Sequence, residues 1–414
     1  MKVLIIGGGI GGLTAALSLQ AAGIAVEVAE AVAETRPLGV GINLLPHAVR
    51  ELTELGLGDA LATIGIETRE LIYTNRFGQR IWREDRGRAA GYAWPQYSLH
   101  RGRLQMLLLD AARARLPPGA IRNGRRLVRI DPGPVAIFAD GSTTAADIIV
   151  AADGIHSAAR AQFHPDEGPP RWNGRILWRA TSAAPPYLTG ASMVMAGHQD
   201  QKFVCYPIDT LPDGRALVNW IAELRVPPHD FPREDWNRVA DTNTFLPRFT
   251  DWDFGWLDVP TLIRAAKIVY EFPMVDRDPL PRWTQGRVTL LGDAAHPMYP
   301  IGSNGASQAI VDARVLAWHL ATAADPDAAL AAYEDARRPA TAAIVLANRR
   351  NGPERVMQMA QDRAPQGFAD ITAVIPAAEL QATAAEYKMV AGFDPAALNA
   401  RLSYSPRNSA TQSE

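Results

Sequence analysis

Three glycines, Gly7, Gly9 and Gly12, form a Gly-x-Gly-x-x-Gly pattern, and the carboxylate of Glu30 follows about twenty residues on. Each glycine answers a separate demand. Gly7 allows a tight turn, Gly9 lets backbone approach a pyrophosphate, and Gly12, after Ile10 in the same loop, lets a helix pack close to a strand. A helix N-terminus at this point presents free N–H groups to phosphate. Glu30 can accept hydrogen bonds from an adenosine ribose and would repel a 2′-phosphate, so FAD or NAD fits and NADP as resident ligand does not. A second carboxylate, Asp293, ends an apolar run in Leu290-Leu291-Gly292-Asp293 and is placed to bind a second polyol. The small residues Gly302, Ser303, Asn304, Gly305 and Ala306 then lead into a helix. Their amides suit a flat ring that becomes negatively charged on reduction, which favours FAD over NAD.

The elements that must position these residues are legible in outline. An apolar run over 2–6, a helix from Gly12 to Ala22 closed by Gly23, and alternation from Ile24 to Glu30 make a βαβ unit with a parallel sheet. Helix is expected at 43–62, 101–116 and 304–321, and strands at 121–150, 268–274 and 287–292. Alternating, Trp-bearing segments between 171 and 225 predict an antiparallel sheet. Residues 231–266, with Trp236, Trp252 and Trp256, have some helical pattern, and the chain is Ala-rich and helical after 350. The fold class is α/β. The expectation is a Rossmann-type, dinucleotide-binding domain over 1–75, 100–172 and 275–350, a mostly antiparallel substrate-binding sheet over 76–99 and 173–274, and a C-terminal helical segment over 351–414.

Composition excludes several classes. Lys plus Arg is 42 and Asp plus Glu 44, so a net charge of −2 gives no reason to expect nucleic acid or an anionic membrane as partner. Cys205 is alone, which rules out an intrachain disulfide, a Cys-based zinc site and a dithiol redox centre, and no metal is expected. No apolar run approaches about 18 residues, and the N-terminal run is too short for a signal-peptide core, so a cytoplasmic location is expected.

Three ordered motifs carry a resemblance. They are Gly7-x-Gly9-x-x-Gly12, Asp153-Gly154 within 151–160, and Gly292-Asp293. On these the chain resembles the single-component FAD-dependent aromatic hydroxylases, the para-hydroxybenzoate hydroxylase class, whose fold is the glutathione-reductase-type (GR2-like) flavoprotein fold. The stretches 36–43, 97–102, 273–281 and 298–300 are similar to the phenazine-acting branch. The resemblance covers about residues 1–350 and implies roles. Glu30 would hold the adenosine ribose and Asp293 the ribityl region. Arg101, in Arg-x-x-Leu-Gln, would contact the phosphate or ribityl. Val40, Gly41, Val128 and 302–306 would line non-covalent FAD, and Asp153 would support it and a passing NAD(P)H. It also implies the reaction: NAD(P)H reduces the flavin, dioxygen adds at C4a as a hydroperoxide, and its distal oxygen passes to an electron-rich aromatic ring. No catalytic side chain need be invoked.

A second Gly-x-Gly-x-x-Gly is missing, so the nicotinamide donor has no fold of its own, and no Trp-x-Trp-x-Ile-Pro halogenase motif occurs. The substrate pocket is expected between flavin and sheet, lined by Trp178, Val204, Tyr206, Trp220, Met298 and Tyr299, with Arg179 and His198 as further candidates. Alternation puts Val204 and Tyr206 on one face of their strand, and Val218 and Trp220 on one face of theirs. The expected substrate is a planar, fused-ring aromatic, with plain and decarboxylative hydroxylation both open. The other function class is a flavoprotein without oxygen transfer, a reductase or a ligand-sequestering protein. A monomer and a homodimer are both compatible with the sequence.

Overall fold

The computed structural model describes residues 1–227, 238–390 and 394–405. Trp236 and the polar end of the chain after 405 lie outside them.

Lys2–Ile6 is buried from Val3 on and pairs in parallel on both sides, with Ala25–Ala29 and with Ile148–Ala151. Such a strand must be apolar on both faces. Ile148–Ala151 pairs in turn with Val288–Leu290, and short strands 121–122 and 284–285 complete a six-stranded sheet. Register sets Ala29, Ile6, Ala151 and Leu290 in one row across it. Gly7, Glu30, Asp153 and Gly292-Asp293 follow that row by one to three residues. Motifs up to 286 residues apart in sequence (Gly7 to Asp293) therefore meet at the carboxyl edge of one parallel sheet, the place where such sheets bind ligands.

The helix Ile10–Ala21 packs on the helices Arg101–Arg115 and Gly305–Thr322, and Gly23 (φ +76°) ends it in the left-handed conformation. The long helical stretch expected at 43–62 is instead a strand, Gly41–Leu44, and two short helices, Pro46–Glu54 and Gly58–Ile64. Pro46 starts the first at a position where its missing N–H costs nothing.

The second large sheet has seven strands in the order 270–276, 171–184, 216–225, 201–210, 192–198, 70–74 and 80–85. It is antiparallel except where Ser192–His198 runs parallel to Glu70–Thr74. Glu70–Thr74 thus belongs to this sheet, not to the dinucleotide-binding unit in which the sequence boundaries place it. Its partner lies about 120 residues away, beyond any local pattern. Helices follow these sheets in the sequence. Pro326–Arg349 is N-capped by Asp325, and Arg355–Arg363, Ala377–Val390 and Pro395–Ala400 follow. No helix among the described residues is long and apolar enough to cross a membrane.

Candidate active site

The glycine loop divides its labour as its spacing requires. Gly7 has φ +106°, and a Cβ there would meet the Ala152 carbonyl oxygen at 2.4 Å; at Gly12 it would meet the Gly7 carbonyl oxygen at 2.0 Å. Around Gly9 nothing lies within 4 Å, leaving room for a phosphate. The Glu30 carboxylate accepts the amides of Gly8 (2.6 Å) and Val32 (2.8 Å), and Gln105 Nε2 donates to the Gly8 carbonyl at 2.9 Å. Val128 stands apart: it is exposed on the strand 127–131. The chain is tied to the Glu30 end of the cleft just before it, through Arg125 N–H to the Glu30 carbonyl at 2.8 Å.

Asp293 opens into the cleft and accepts no hydrogen bond among the described residues. The protein crowding round it raises its carboxyl pKa. Arg101 is exposed, lies against Gly39, and forms no ion pair among the described residues. Its charge acts on Asp293 and opposes the rise of that carboxyl's pKa. Opposite them, Gly302 (φ +68°) and Ser303 (φ +58°) make a left-handed turn into the helix Gly305–Thr322. Buried Asn304 holds that turn, donating to the Gly302 carbonyl (3.1 Å) and to Tyr387 Oη (2.9 Å). An unpartnered carboxylate, a free guanidinium, an open glycine cradle and a helix N-terminus together suit FAD.

The Asp153 motif is bound to the Asp293 motif by Arg160. Its guanidinium donates to the carbonyls of Ala294 (3.1 Å) and Ala295 (2.8 Å) and pairs with Glu167. Asp153 accepts the Ala158 amide at 2.9 Å through Oδ2, while its buried Oδ1 is unsatisfied; burial raises its pKa.

The sheet contributes one face. Register aligns Leu71, Tyr73, Met193, Met195, Val204, Tyr206, Asn219, Ile221, Leu177 and Arg179 on the side toward Gly41. Asn219 Oδ1 accepts the Gly41 amide at 2.7 Å, and Arg179 Nη2 donates to the Gly41 carbonyl at 3.0 Å. Tyr206 reaches both residues, and its burial pushes the phenol up to about 12. Val40 is buried beside them.

Trp178 and Trp220 do not line this side. Both belong to the opposite face: Trp178 stacks on Phe245 at 4.7 Å, and Trp220 donates to Ser182 Oγ at 2.9 Å. Aromatics of 245–256 cover that face, so a tryptophan there is core. Cys205 shares it. Tyr299 is on the flavin side, buried with Val204 and Tyr206, and Met298 lies against Gly305. His198 ends its strand and its Nδ1 accepts the Asp200 amide at 3.3 Å.

The cavity that joins the sheet to the Gly302–Ser303 turn lies one to two strands beyond Tyr206, over 192–198 and 70–74. Leu71, Tyr73, Met193 and Met195 form one wall, and Leu45, Gln96, Gly302 and Ser303 the other. Glu84, Arg86, Pro353, Ala384, Tyr387 and Lys388 complete its lining. Sequence reasoning missed Tyr73, Arg86, Gln96, Tyr387 and Lys388, as well as Asn219 and Arg160. Only Arg160 carried a signal, its place at the end of the Asp153 motif.

The family model described as "FAD binding domain" matches residues 1–348. The chain is 46% identical over 387 residues to a phenazine 1,6-dicarboxylic acid hydroxylase of Lysobacter antibioticus, covering 90% of this chain and 95% of that one. It is 31% identical to a 3-hydroxybenzoate 6-hydroxylase of Aquipseudomonas alcaligenes, covering 83% and 86%. Among solved structures, a salicylate hydroxylase substrate complex matches with TM-score 0.74 at 25% identity, covering 96% and 97%. Klebsiella pneumoniae HpxO, complexed with FAD and uric acid, matches with TM-score 0.72 at 26% identity, covering 95% of each chain.

Proposed function

The chain belongs to the FAD binding domain family and is an FAD-dependent aromatic monooxygenase, and from that premise we propose that its substrate is a planar, multi-ring aromatic of the phenazine kind, held between the seven-stranded sheet and the Gly302–Ser303 turn. The observation that carries this reading is the cavity wall of Leu71, Tyr73, Met193 and Met195. Thioethers and an aromatic ring on a pleated surface make a flat, polarisable bed for a wide ring. The relative at 46% identity acts, by its name, on a tricyclic aromatic.

Bound FAD supplies the redox chemistry, taking a hydride from NAD(P)H and delivering one atom of dioxygen to the ring. The protein's part is binding, orientation and exclusion of water. Glu30 would accept the adenosine ribose hydroxyls, Gly9 and the first amides of Ile10–Ala21 would take the pyrophosphate, and Asp293 with Arg101 would hold the ribityl side. Asp153 braces the loop beside the cofactor. The amides that open Gly305–Thr322 would stabilise negative charge on the bound ring, where donors already in place act without reorganising. Asn219 and Arg179 clamp Gly41, so that Val40 and Gly41 stay against the cofactor. Pro353, Ala384 and Tyr387, from the C-terminal segment, line the cavity.

A substrate panel tests the reading. Phenazines, quinolines, naphthoates and simple phenols are scored for stimulated NAD(P)H oxidation and for product mass. Fused tricycles should give the largest stimulation and a product with one added hydroxyl. Preference for single-ring phenols over every tricycle would contradict it.

A further inference from the structure

The cavity assigned to the ring is nearly shut. Its free volume is about 20 Å³, room for little more than one water. Cavities that take a single benzene ring are on the order of 150 Å³. A second pocket, of about 230 Å³, lies between the helices Pro326–Arg349 and Ala377–Val390. Exposed Arg350, Arg355, Glu386 and Val390 are part of its lining, so it opens to solvent. Among the described residues, only Tyr387 lines both spaces.

The surroundings of Tyr387 are those of a partition held in place. Its side chain is buried, with a glycine at each edge of the ring. A Cβ at Gly302 would meet Cε1 at 2.6 Å, and one at Gly352 would meet Cε2 at 2.8 Å. Both glycines are left-handed (φ +68° and +45°), and so are their neighbours Ser303 (φ +58°) and Asn351 (φ +66°). Left-handed backbone at residues other than glycine is strained, and it gathers at ligand clamps and switch regions. The hydroxyl is held by two asparagines. It accepts Asn304 Nδ2 at 2.9 Å and donates to Asn348 Oδ1 at 2.7 Å. Asn304 leads into the helix Gly305–Thr322, and Asn348 Nδ2 donates to the Tyr299 carbonyl at 3.1 Å.

We propose that Tyr387 is the gate through which the aromatic substrate reaches the cavity, and that the outer pocket is the substrate's entry site. Turning the Tyr387 ring outward would join the pocket to the wall of Leu71, Tyr73, Met193 and Met195. Thr383 and Val390, one helical turn before and after Tyr387, lie on the pocket side, which gives the ring space in that direction. Opening gives up the bonds to Asn304 and Asn348, so it limits the rate at which a ring can bind. The inference rests on the proposed function for the final seat of the ring, and it adds the route and the residue that controls it.

Stopped-flow mixing of FAD-loaded enzyme with phenazine-1-carboxylate, followed through the flavin visible spectrum without NAD(P)H, tests it. In wild type the observed rate should climb with ligand concentration to a plateau, the rate of opening. Tyr387→Ala should make the dependence linear and raise association and dissociation together by roughly tenfold or more, with Kd within about threefold. A purely structural role would change Kd or FAD content without removing the plateau. Tyr387→Phe keeps the ring but loses the hydroxyl's bonds, and should raise the plateau roughly tenfold. If Tyr387→Ala fails to fold or loses FAD, Val390→Trp, at an exposed position on the pocket, must slow association by roughly tenfold with Kd within about threefold. A rate linear in concentration in wild type, or a plateau that these substitutions leave unmoved, overturns the gate and leaves the proposed substrate standing. Gated binding of single-ring salicylate, with no binding of the tricycle, keeps the gate and overturns the proposed substrate instead.

Discussion

Nε2 of His296 lies 2.5 Å from Oδ2 of Asp312, the oxygen that also accepts the Gly292 amide at 3.2 Å. Burial alone would raise the Asp312 pKa, but His296 and Arg337 outweigh it and hold the carboxylate ionised below its ordinary range. Asp312 Oδ1 accepts Arg337 Nε at 2.7 Å. The helix Gly305–Thr322, whose first amides face the flavin ring in our reading, is thereby tied to the loop that presents Asp293.

Asp312→Ala should therefore unfold at a markedly lower temperature. It strands the buried Arg337 guanidinium, and a broken buried pair costs about 3–5 kcal/mol. Asp312→Asn should lose less. Differential scanning calorimetry of the two variants measures this, and an unchanged Tm for Asp312→Ala would show that the network is not stabilising.

Asp293→Ala should behave in the opposite way. Its carboxylate has no protein partner among the described residues, so the apoprotein should be as stable as wild type, or slightly more so. FAD retention should fall by roughly ten- to a hundredfold, the worth of a hydrogen bond to a charged group. Fluorescence titration of apoprotein with FAD gives the constant. A destabilised apoprotein that retains normal FAD affinity would make Asp293 structural.

Acid sensitivity has a predictable component. Burial, with help from Arg337 and Arg401, lowers the His47 pKa to about 3. The unfolded chain binds a proton near the ordinary value of about 6.5, and the folded one does not. The stabilisation is complete above pH 6.5 and is lost as pH falls from 6.5 to about 3. In that window His47 alone contributes a slope of about 1.4 kcal/mol per pH unit. His47→Gln should flatten the dependence of urea-unfolding free energy on pH between 6 and 4; an unchanged slope would contradict the assignment.

Trp220→Phe should lower stability and leave the KM for an aromatic substrate within about twofold, because the ring sits in the core behind the sheet and loses only packing and the Ser182 bond. Tyr206→Phe, on the other face, should disturb Arg179 and Asn219 and with them coupling of NAD(P)H oxidation to product. A KM effect at Trp220 larger than at Tyr206 would reverse the assignment of faces.

That assignment shows where sequence reading stops. Period-2 alternation correctly pairs Val204 with Tyr206 and Val218 with Trp220, but it carries no information on which face meets the cofactor. The covering aromatics of 245–256 decide it, through contacts with no local signature. The dinucleotide site was legible because Gly7, Gly9, Gly12, Glu30 and Asp293 each answer a backbone or charge requirement at the end of a strand. Arg86 and Lys388 stand about 300 residues apart in unremarkable surroundings. Only folding brings both onto Glu84. Asn219 is 178 residues from Gly41.

Labelled dioxygen tests the central claim most directly. With FAD, NAD(P)H and a fused-ring aromatic present, the account predicts product carrying one atom of label, formed in step with NAD(P)H consumption. Label found only in hydrogen peroxide, across phenazines, quinolines, naphthoates and phenols, would contradict it.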